Sequence, residues 1–432
     1  MLIRWFYTLL LSLAAPLLLY GLYKKKAGKP SFGPRWKEHF GFTPVIANQN
    51  TALRPIWIHA VSVGESIAAI PVIKALKAQN PEQPIVVTTT TSTGAEQVAK
   101  LGDLVEHRYM PLDFSWCVKG FLKTIKPSAM LIMETELWPN TLASVHDSGV
   151  PIIIMNARLS ARSAARYRQF QPIFNLLARN IDHVLCLHHD DAERFKALGM
   201  KEQNVTVTGS IKYDIEISAS IKQQARDLRS QLGAQRPVWV AASTHKGEDE
   251  QVLEAFRFVL QKYPDSLLIL VPRHPERFNQ VEQLCADTGF TCVRRTANAE
   301  VSADTQVYLA DTMGEMLIFQ GAADITFMGG SLIGDAVGGH NLLEPAALGK
   351  PALTGPSFYN FTDITEQLCS ANAVWICADA QELGLMLTQL FASSEQCQSM
   401  GSAALNVVKQ NQGAVAKTLT ALNHQLSTQA PA

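Results

Sequence analysis

The sequence predicts two doubly wound α/β domains, each with a parallel sheet covered by helices on both faces, after an apolar N-terminal segment. Two observations predict this class. Short apolar runs alternate with helical stretches along the chain, and these runs are solidly apolar, as is typical of parallel strands that are buried on both faces. The chain has 432 residues, of which 47% are apolar and 18% charged, so it is long enough for two such domains and their cores.

The predicted strands fall into two sets. The first set begins at Pro55 and comprises "PIWIHAVSV", "PIVVTTTTSTG", "SAMLIME", "VPIIIMNA", "IDHVLCL" and "NVTVTGSIKYD". The second begins near Pro237 and comprises "PVWVAAS", "SLLILVPRH", "TCVRR", "TQVYLAD", "ADITFMGG" and "KPALTGP". A polar, helix-forming stretch over residues 215–235 separates them. We therefore predict domains at 55–220 and 221–426, with a cleft between them and a frayed end after the last helix.

The first 26 residues differ from the rest of the chain. No charge occurs from Trp5 to Tyr23, and a helix of that length rises about 28 Å, close to the hydrocarbon thickness of a bilayer. A cleaved signal peptide and a buried helix are alternatives, but the following Lys24–Lys26 and the uniformly apolar run favour an uncleaved membrane anchor. Because the lysines follow the run, the body is expected on the cytoplasmic side. Ser12 and Pro16 leave a shallow or kinked insertion open.

The segment that connects this anchor to the first domain, residues 27–54, is rich in basic and aromatic residues. Its stretch "AGKPSFGPRWKEHFGF" suits a membrane interface, where basic groups meet lipid phosphates and aromatic rings lie at headgroup depth. A solvated linker is the alternative.

Composition excludes several classes of protein. The 38 basic residues balance the 38 acidic residues, so overall charge gives no reason to expect nucleic-acid binding. The seven cysteines are scattered and include no C-x-x-C pair, so neither a disulfide framework nor a zinc site is expected. Scattered reduced thiols of this kind are typical of a cytoplasmic body.

Polar and glycine residues are concentrated where the predicted strands end. Examples are "SVGES", "METELWPN", "GSIKYD", "STHKGEDE", "VPRHPER" and "DTMGEM". Ligands of open α/β sheets bind beyond the carboxyl ends of the strands. Clusters of this kind on both domains predict one site at the cleft.

The glycine-rich stretch "FMGGSLIGDAVGGHNLLEPAALGKPALTGP", residues 327–356, indicates a nucleotide site. Gly329–Gly330 and Gly338–Gly339 let the backbone approach a ligand closely, and the first amides of the helix that begins at "NLLEP" can hold a phosphate. Glu344 in the first helical turn could accept hydrogen bonds from sugar hydroxyls. The alternative is a glycine-rich connection with a favourable first-turn acid. Neither an ATPase phosphate loop nor the dinucleotide motif is present.

Three side chains outside that stretch are candidates with structural alternatives. Arg273 follows a strand and suits a phosphate or carboxylate, whereas Arg277 is predicted to be a surface arginine and His274 to be structural. Glu315 in "DTMGEM" fits a capping box. Glu65 in "SVGES" also fits a capping box, but Gly64 leaves room for a substrate beside it, and a carboxylate at a helix N-terminus stays ionised, as a general base requires.

Taken together, the motifs resemble a known family. The strings "SVGE", "TTTTSTG", "ETELWPN", "NARLSARS", "GSIKYD", "STHKGEDE", "VPRHPERF", "DTMGEM" and "GGHNLLEP" stand in the same order as in 3-deoxy-D-manno-octulosonic acid (Kdo) transferases. The resemblance covers nearly the whole chain. The loop "GGSLIGDAVGGHN" is slightly longer than usual, and Ser357 stands where the family often has histidine.

This resemblance implies a glycosyltransferase of the two-Rossmann GT-B architecture. It implies CMP-β-Kdo as donor, tetraacyl lipid A disaccharide bisphosphate (lipid IVA) as acceptor, inversion at the anomeric carbon, and no metal cofactor. The expected place is the cytoplasmic face of the inner membrane, in contact with its lipids.

The resemblance also implies roles for particular residues. Glu65 is similar to the general base of the family, and Glu134 and Lys212 are similar to its transition-state stabilisers. Three segments resemble its CMP-binding residues, and they comprise Pro272 and Arg273, then Met313, Gly314 and Glu315, then Asn341, Leu342, Leu343 and Glu344. Two other functions remain open, a nucleotide-sugar epimerase of the same fold and a membrane-tethered nucleotide-sugar binder without catalysis.

Overall fold

The computed structural model describes residues 2–24, 30–47 and 53–428, and the chain divides into two compact units. The first unit comprises Met1–Asp214 together with Gln412–Ala432, and the second comprises Ile215–Asn411. Each unit contains one sheet of seven parallel strands. Helices and strands are numbered along the whole chain.

The sheet of the first unit has the strand order 3-2-1-4-5-6-7. Its strands are β1 (Ile56–His59), β2 (Ile85–Thr89), β3 (Glu106–Tyr109), β4 (Ala129–Met133), β5 (Ile152–Ala157), β6 (His183–Cys186) and β7 (Val205–Val207). Successive residues of a strand pack on opposite faces, so Trp57 of β1 enters one apolar cluster and Ile58 enters another. This explains why the central strands are apolar at almost every position.

Eight helices accompany this sheet in addition to the N-terminal helix. They are α2 (Val63–Gln79), α3 (Ser92–Ala99), α4 (Ser115–Ile125), α5 (Pro139–Asp147), α6 (Ala161–Gln169), α7 (Gln171–Ala178), α8 (His189–Ala197) and α17 (Ala414–Thr428). The last of these returns from the far end of the chain and packs on α2 through Leu419 and Leu422, which are buried in the cluster around Ile58. Asp214 fixes the start of α17, because its carboxylate accepts the amides of Gly413 (2.6 Å) and Val415 (2.5 Å).

The N-terminal segment forms a helix, α1 (Leu2–Tyr23), which is long and apolar enough to cross a membrane by length and composition. Lys25 and Lys26, which follow the predicted anchor, lie outside the described residues, as do residues 27–29 and 48–52 of the connecting segment. Residues Gly33–Phe40 form a 3-10 helix in which Glu38 and His39 are buried. The Glu38 carboxylate accepts the Tyr109 amide of β3 at 2.7 Å. The solvated-linker alternative is therefore wrong for this stretch.

The sheet of the second unit has the strand order 10-11-9-8-12-13-14. Its strands are β8 (Val238–Thr244), β9 (Leu267–Pro272), β10 (Cys292–Arg294), β11 (Val307–Leu309), β12 (Ile325–Met328), β13 (Ala352–Thr354) and β14 (Val374–Ile376). Its helices are α9 (Ala219–Leu232), α10 (Asp249–Lys262), α11 (Phe278–Asp287), α12 (Met316–Ala322), α13 (Leu343–Ala347), α14 (Thr362–Ser370), α15 (Ala380–Ala392) and α16 (Ser394–Asn411).

The two-sheet fold class is confirmed, and three details differ from the sequence prediction. Strands β3 and β14 are absent from the predicted sets, and both lie at an edge of their sheet. The predicted domain boundary at the C-terminus is wrong, because residues 412–426 are predicted in the second domain whereas α17 packs in the first unit. Gly413 lies between α16 and α17 and separates them, because its φ of +96° is a left-handed conformation that favours glycine. The predicted fraying of the last residues concerns 429–432, which lie outside the described residues.

Candidate active site

The sheet of the first unit reverses its strand order at one place. Strands β2 and β3 follow β1 on one side, while β4 to β7 lie on the other, so the switch point falls between β1 and β4. Glu65 lies in the first turn of α2, directly after β1, and Glu134 directly follows β4. The two predicted catalytic carboxylates therefore flank the position where open α/β sheets bind their ligands.

Glu65 makes one of the two contacts of the predicted capping box, the one from its own amide to the N-cap Ser62, and its carboxylate accepts the amide of Val61 instead of that of Ser62. Its backbone amide donates to Ser62 Oγ (3.3 Å), and its carboxylate accepts the Ser62 hydroxyl (2.9 Å) and the Val61 amide (2.8 Å). Burial raises the pKa of this carboxyl, the two hydrogen bonds oppose that rise, and the negative charges of Glu134 and Glu136 add to it. Glu65 is thus a cap, and it is also a buried carboxylate whose proton affinity is increased by burial and by the neighbouring carboxylates.

Glu134 adopts a left-handed backbone conformation with φ of +58°. A residue other than glycine in this region costs about 1 kcal/mol or more, and such strain is concentrated at functional sites. The Glu134 amide donates to the Met155 carbonyl of β5 at 2.9 Å, which keeps the loop on the sheet edge. Asn156, one residue further along β5, is also left-handed with φ of +54°.

Lys212 lies on a short 3-10 turn, Ile211–Tyr213, after the edge strand β7. This turn reaches back to the middle of the sheet, because the Ile211 amide donates to Asn156 Oδ1 at 3.3 Å and the Ile211 side chain packs in the cluster with Met133 and Met155. The Lys212 side chain is exposed. The three catalytic candidates consequently lie along the same edge of one sheet, and Asn156 is the side chain that holds the lysine turn there.

A cavity of about 640 Å³ adjoins this edge. Its lining is largely apolar and aromatic and includes the polar turn after β2, with Leu22, Tyr23, Phe32, Trp36, Phe40 and Thr90–Ser92 among the lining residues. This turn is connected to the glutamate through Val61, since Thr91 Oγ1 donates to the Val61 carbonyl (3.4 Å) and the Val61 amide donates to Glu65. A largely apolar cavity with polar lining residues suits an amphipathic ligand.

The sheet of the second unit has its own switch point, between β8 and β12. Glu248, after β8, accepts the amides of Gly330 (2.6 Å), Ser331 (3.0 Å) and Leu332 (3.0 Å), which follow β12. A side chain at Gly329 would lie 2.8 Å from Glu248 Oε2, so this close approach requires glycine there. The buried Glu248 therefore ties the two loops that flank the switch point into one structure.

Two histidines lie on those same loops. His245 Nε2 and His340 Nε2 are 2.9 Å apart, and the rings stack with an interplanar angle of 12°. The pKa of each is lowered to about 4, mainly by burial, and the neighbouring histidines and the positive charge of Arg273 contribute to the lowering. The pair is therefore neutral near pH 7, with one Nε2 donating to the other. His274 packs edge-on against His245, which agrees with a structural role for it.

Arg273 and Arg277 follow β9 and differ in their contacts. The Arg273 amide donates to the Thr244 carbonyl at 2.9 Å, while its guanidinium is exposed and makes no hydrogen bond or ion pair with any described residue. Arg277 forms a close ion pair with the fully buried Asp249 and donates to the Thr244 carbonyl at 3.2 Å. The prediction that Arg277 is a surface arginine is wrong, because it compensates a buried charge. Pro272 ends β9 and is buried.

The segment "DTMGEM" places Met313 in solvent and Gly314 in a left-handed conformation with φ of +87°. Glu315 does not form the predicted capping box, since it immediately precedes α12 rather than lying in its first turn. Its carboxylate instead accepts Arg295 Nη2 at 2.9 Å and the Thr312 hydroxyl. Arg295 lowers the pKa of Glu315, so this carboxylate is held ionised and fixed in orientation.

The segment Asn341–Glu344 leads into α13, which has only five residues. The Leu343 amide already donates to Asn341 Oδ1 at 3.1 Å, so the expected phosphate site at a helix start has fewer free amides than predicted. Leu342 and Leu343 are buried and hold the loop in place. Within the described chain no hydrogen bond reaches the Glu344 carboxylate, whose pKa is raised by burial and lowered in part by Arg273. Glu344 is therefore a free acceptor near Arg273.

Comparison with known proteins establishes the family of this chain. A family model described as 3-deoxy-D-manno-octulosonic-acid transferase (kdotransferase) matches residues 34–215. The 3-deoxy-D-manno-octulosonic acid transferase of Haemophilus influenzae is 38% identical over 428 residues, which cover 98% of this chain and 99% of that protein. The chain belongs to the Kdo transferase family. The enzyme of the same name from Bordetella pertussis is 33% identical over 440 residues, covering 98% and 99% of the two chains.

Solved structures place this Kdo transferase fold among GT-B proteins. The UDP-GlcNAc 2-epimerase of Neisseria meningitidis, solved with UDP-GlcNAc, has a TM-score of 0.53 at 16% identity and covers 82% of this chain and 98% of its own. A likeness at this identity shows the fold alone. The open alternative of an epimerase therefore gains no support in function from it.

Several side chains at the candidate site are absent from the sequence prediction. They are Asn156, His245, Glu248 and His340, and each acts through contacts between loops that are far apart in the chain. A sequence signal exists for part of this set, since "STHKGEDE" and "GGHN" both follow strands. In the described part of the chain no cluster of three or more His, Cys, Asp or Glu side chains is placed to hold a metal ion.

Proposed function

We propose that this Kdo transferase moves Kdo from CMP-β-Kdo to the primary hydroxyl of the tetraacyl lipid A precursor, lipid IVA, with inversion at the anomeric carbon. The observation that carries the proposal is the position of Glu65 at the switch point of the first sheet, buried, with its pKa raised by burial and by Glu134 and Glu136. A weakly acidic hydroxyl needs such a base to take its proton as it attacks.

The chemistry assigns a distinct role to each charged side chain. The acceptor oxygen attacks the anomeric carbon opposite the phosphate, its proton passes to Glu65, and the bond to phosphate breaks so that CMP leaves as an anion. The exposed Lys212 ammonium and the unpaired Arg273 guanidinium are the cations proposed to stabilise the charge that develops. Glu134, whose strained backbone fixes its position, is proposed to stabilise the positively charged sugar carbon. We propose that these groups act without a metal cofactor.

The donor contacts are proposed for the second unit. Arg273 would bind the phosphate, Glu344 would accept hydrogen bonds from hydroxyls of the donor, and Asn341 and Glu248 hold the loops that carry these groups. Pro272, Leu342 and Leu343 shape the backbone around them. Met313, Gly314 and Glu315 complete the proposed CMP-binding set.

The lipid acceptor is supported by the cavity of the first unit, whose lining residue Thr91 is hydrogen-bonded to Val61 and through it connected to Glu65. An amphipathic glycolipid could place a sugar hydroxyl at the carboxylate and an acyl portion along the aromatic walls. The apolar α1 supports attachment to the inner membrane, and the proposed side is the cytoplasmic face. No nucleic acid is expected as a partner.

The test uses the purified full chain in detergent with CMP-Kdo and lipid IVA, followed by mass spectrometry and NMR of the lipid product. We expect a mass increase of one or more Kdo units and an α linkage, and the activity should survive EDTA. A product from the deacylated disaccharide but none from lipid IVA would overturn the lipid acceptor. Binding of CMP-Kdo without any product would favour the non-catalytic alternative.

A further inference from the structure

The N-terminal helix α1 packs along the first unit through a single stripe. The less exposed positions recur at Arg4, Thr8, Leu11, Ala15, Leu19 and Leu22, which is a spacing of three or four residues from one end of the helix to the other. Such spacing marks one face of a helix. The whole length of α1, about 33 Å for 22 residues, therefore lies against the body of the protein.

Both ends of α1 are held by hydrogen bonds to the same unit. At the first end, the Tyr7 hydroxyl donates to the buried Asp113 (2.8 Å) and Asn140 Nδ2 donates to Thr8 Oγ1 (3.0 Å). At the other end, the Tyr23 hydroxyl is 2.8 Å from His39 Nδ1. A helix that crossed a bilayer would carry its first end to the far side of the membrane and lose the contacts with Asp113 and Asn140.

The face of α1 opposite the body is apolar along its whole length. Leu2, Phe6, Leu13 and Leu17 are 62–86% exposed, whereas Arg4 and Thr8, which are polar, face the body. The body covers one face of α1, and the apolar face that it leaves uncovered suits the acyl region of one leaflet.

A row of aromatic rings runs beside the helix. Trp36 is 5.7 Å from Phe40, and Phe40 is 6.2 Å from Trp116, as measured between ring centroids. The row lies close to α1, because the Tyr23 hydroxyl donates to the Trp36 carbonyl at 3.4 Å and Arg4 Nη2 donates to Oγ of Ser115, the neighbour of Trp116, at 3.3 Å. The exposed lysines Lys37 and Lys119 flank it. Tryptophan and lysine side chains arranged in this way suit the headgroup layer of an anionic membrane.

We propose that α1 lies in the plane of one leaflet and does not cross the bilayer, with its apolar face in the acyl chains and the aromatic row at the headgroups. The inference rests on the proposed membrane attachment and specifies its geometry. It places the cavity of the first unit at the membrane surface, since Leu19, Leu22 and Tyr23 of α1 line that cavity. A lipid substrate could then reach the carboxylate while its acyl chains remain in the leaflet.

The first experiment determines on which side the Arg4 end lies. A short Cys-Gly-Ser extension is placed before α1, and labelling with a membrane-impermeant maleimide is compared in right-side-out and inverted membrane vesicles. Ser427→Cys, on the exposed surface of α17, marks the side of the body, and the wild type gives the background from its seven native cysteines. We expect both cysteines to react in inverted vesicles alone. Labelling of the extension in right-side-out vesicles would show a crossing helix and overturn the inference while leaving membrane attachment intact.

A second experiment tests whether lipid is what covers the apolar face. Flotation of the full chain with phosphatidylethanolamine–phosphatidylglycerol vesicles is compared for Leu13→Ser/Leu17→Ser and for Leu385→Ser, which alters another exposed leucine, on α15. We expect the double variant to lower the bound fraction at least tenfold and the control to leave it unchanged. Unchanged flotation of the double variant would overturn the lipid assignment. A wild type that does not float would instead contradict the proposed membrane attachment itself.

Discussion

Glu65 combines a structural role and a proposed chemical role in one carboxylate. Sequence spacing could not separate the two, and the structure shows that they are compatible, because the capping contacts leave the carboxylate beside Glu134 and Glu136 at the sheet edge. The second unit provides a comparison. Glu382 accepts the Ala378 amide at 2.6 Å, and its own amide donates to the N-cap Asp379, so it makes the same kind of cap on α15, a helix that carries no candidate site residue.

The substitution Glu65→Gln should separate the two roles. Glutamine can accept the Val61 amide and donate to Ser62 Oγ, so we expect the free energy of unfolding to change by less than about 1 kcal/mol. It cannot take a proton, so transfer should fall by roughly 100-fold or more. Glu382→Gln should match it in thermal melting and leave transfer unchanged. A Glu65→Gln enzyme that transfers Kdo at nearly the parent rate would make Glu65 a cap alone, with Glu134 the next candidate.

The two arginines after β9, Arg273 and Arg277, should differ in whether their loss affects donor binding or stability. Arg273→Ala removes an unpaired exposed guanidinium, so melting should be unchanged while the affinity for the CMP-Kdo donor falls by about 1.5–3 kcal/mol, the value of a charge-assisted contact. Arg277→Ala leaves the buried Asp249 without its ion pair and should lower stability by about 3 kcal/mol or more. Calorimetric titration and thermal melting measure both effects. Donor affinity that Arg273→Ala does not change would remove Arg273 from the donor site.

At the scale of elements, the apolar pattern was enough to predict the buried strands and not enough to predict the edges. Central strands such as β1 and β9 are buried at every position, so their apolar composition is enough to identify them as strands. The edge strand β3 reads "EHRY" and is stabilised instead by Glu38, which accepts its Tyr109 amide from a distant segment. A contact between residues 71 positions apart leaves no periodic signal in either stretch.

The placement of α17 shows the same limit. Its apolar residues predict a helix, but they do not determine which of the two sheets this helix covers. Because α16 ends just before α17 begins, the sequence suggests that both helices belong to the second domain. The decision comes from Asp214, whose carboxylate caps α17, and from the burial of Leu419 and Leu422 on α2. The loop contacts of Glu248 and the left-handed Glu134 are likewise tertiary facts, whereas the carboxylates and Arg273 could be named from motifs alone.

For the whole molecule, buried neutral histidines determine how stability depends on pH. Burial lowers the pKa of His39, His59, His245 and His340 to about 4 and that of His107 to about 3. Between pH 6.5 and these values the unfolded chain binds protons that the folded chain does not, so stability falls as the pH is lowered through this range. Buried carboxyls with raised pKa values, such as Glu65 and Glu248, oppose part of this loss.

His59 allows the effect of one histidine to be isolated. It is fully buried on β1, where its Nδ1 is 3.0 Å from Thr88 Oγ1, and its pKa falls from 6.5 to about 4 because burial disfavours the imidazolium. The resulting loss of stability at pH 5 relative to pH 8 is about 2 kcal/mol. His59→Asn keeps a donor for Thr88 and removes the titrating imidazole. Whatever the stability of this variant at pH 8, its free energy of unfolding should therefore decrease between pH 8 and pH 5 by about 2 kcal/mol less than that of the wild type. His146→Asn, on the exposed surface of α5, is the control. Denaturant unfolding at pH 8 and pH 5 gives the loss of stability for each protein. An equal loss for His59→Asn and the wild type would mean that His59 is protonated in the folded protein or that solvent reaches it.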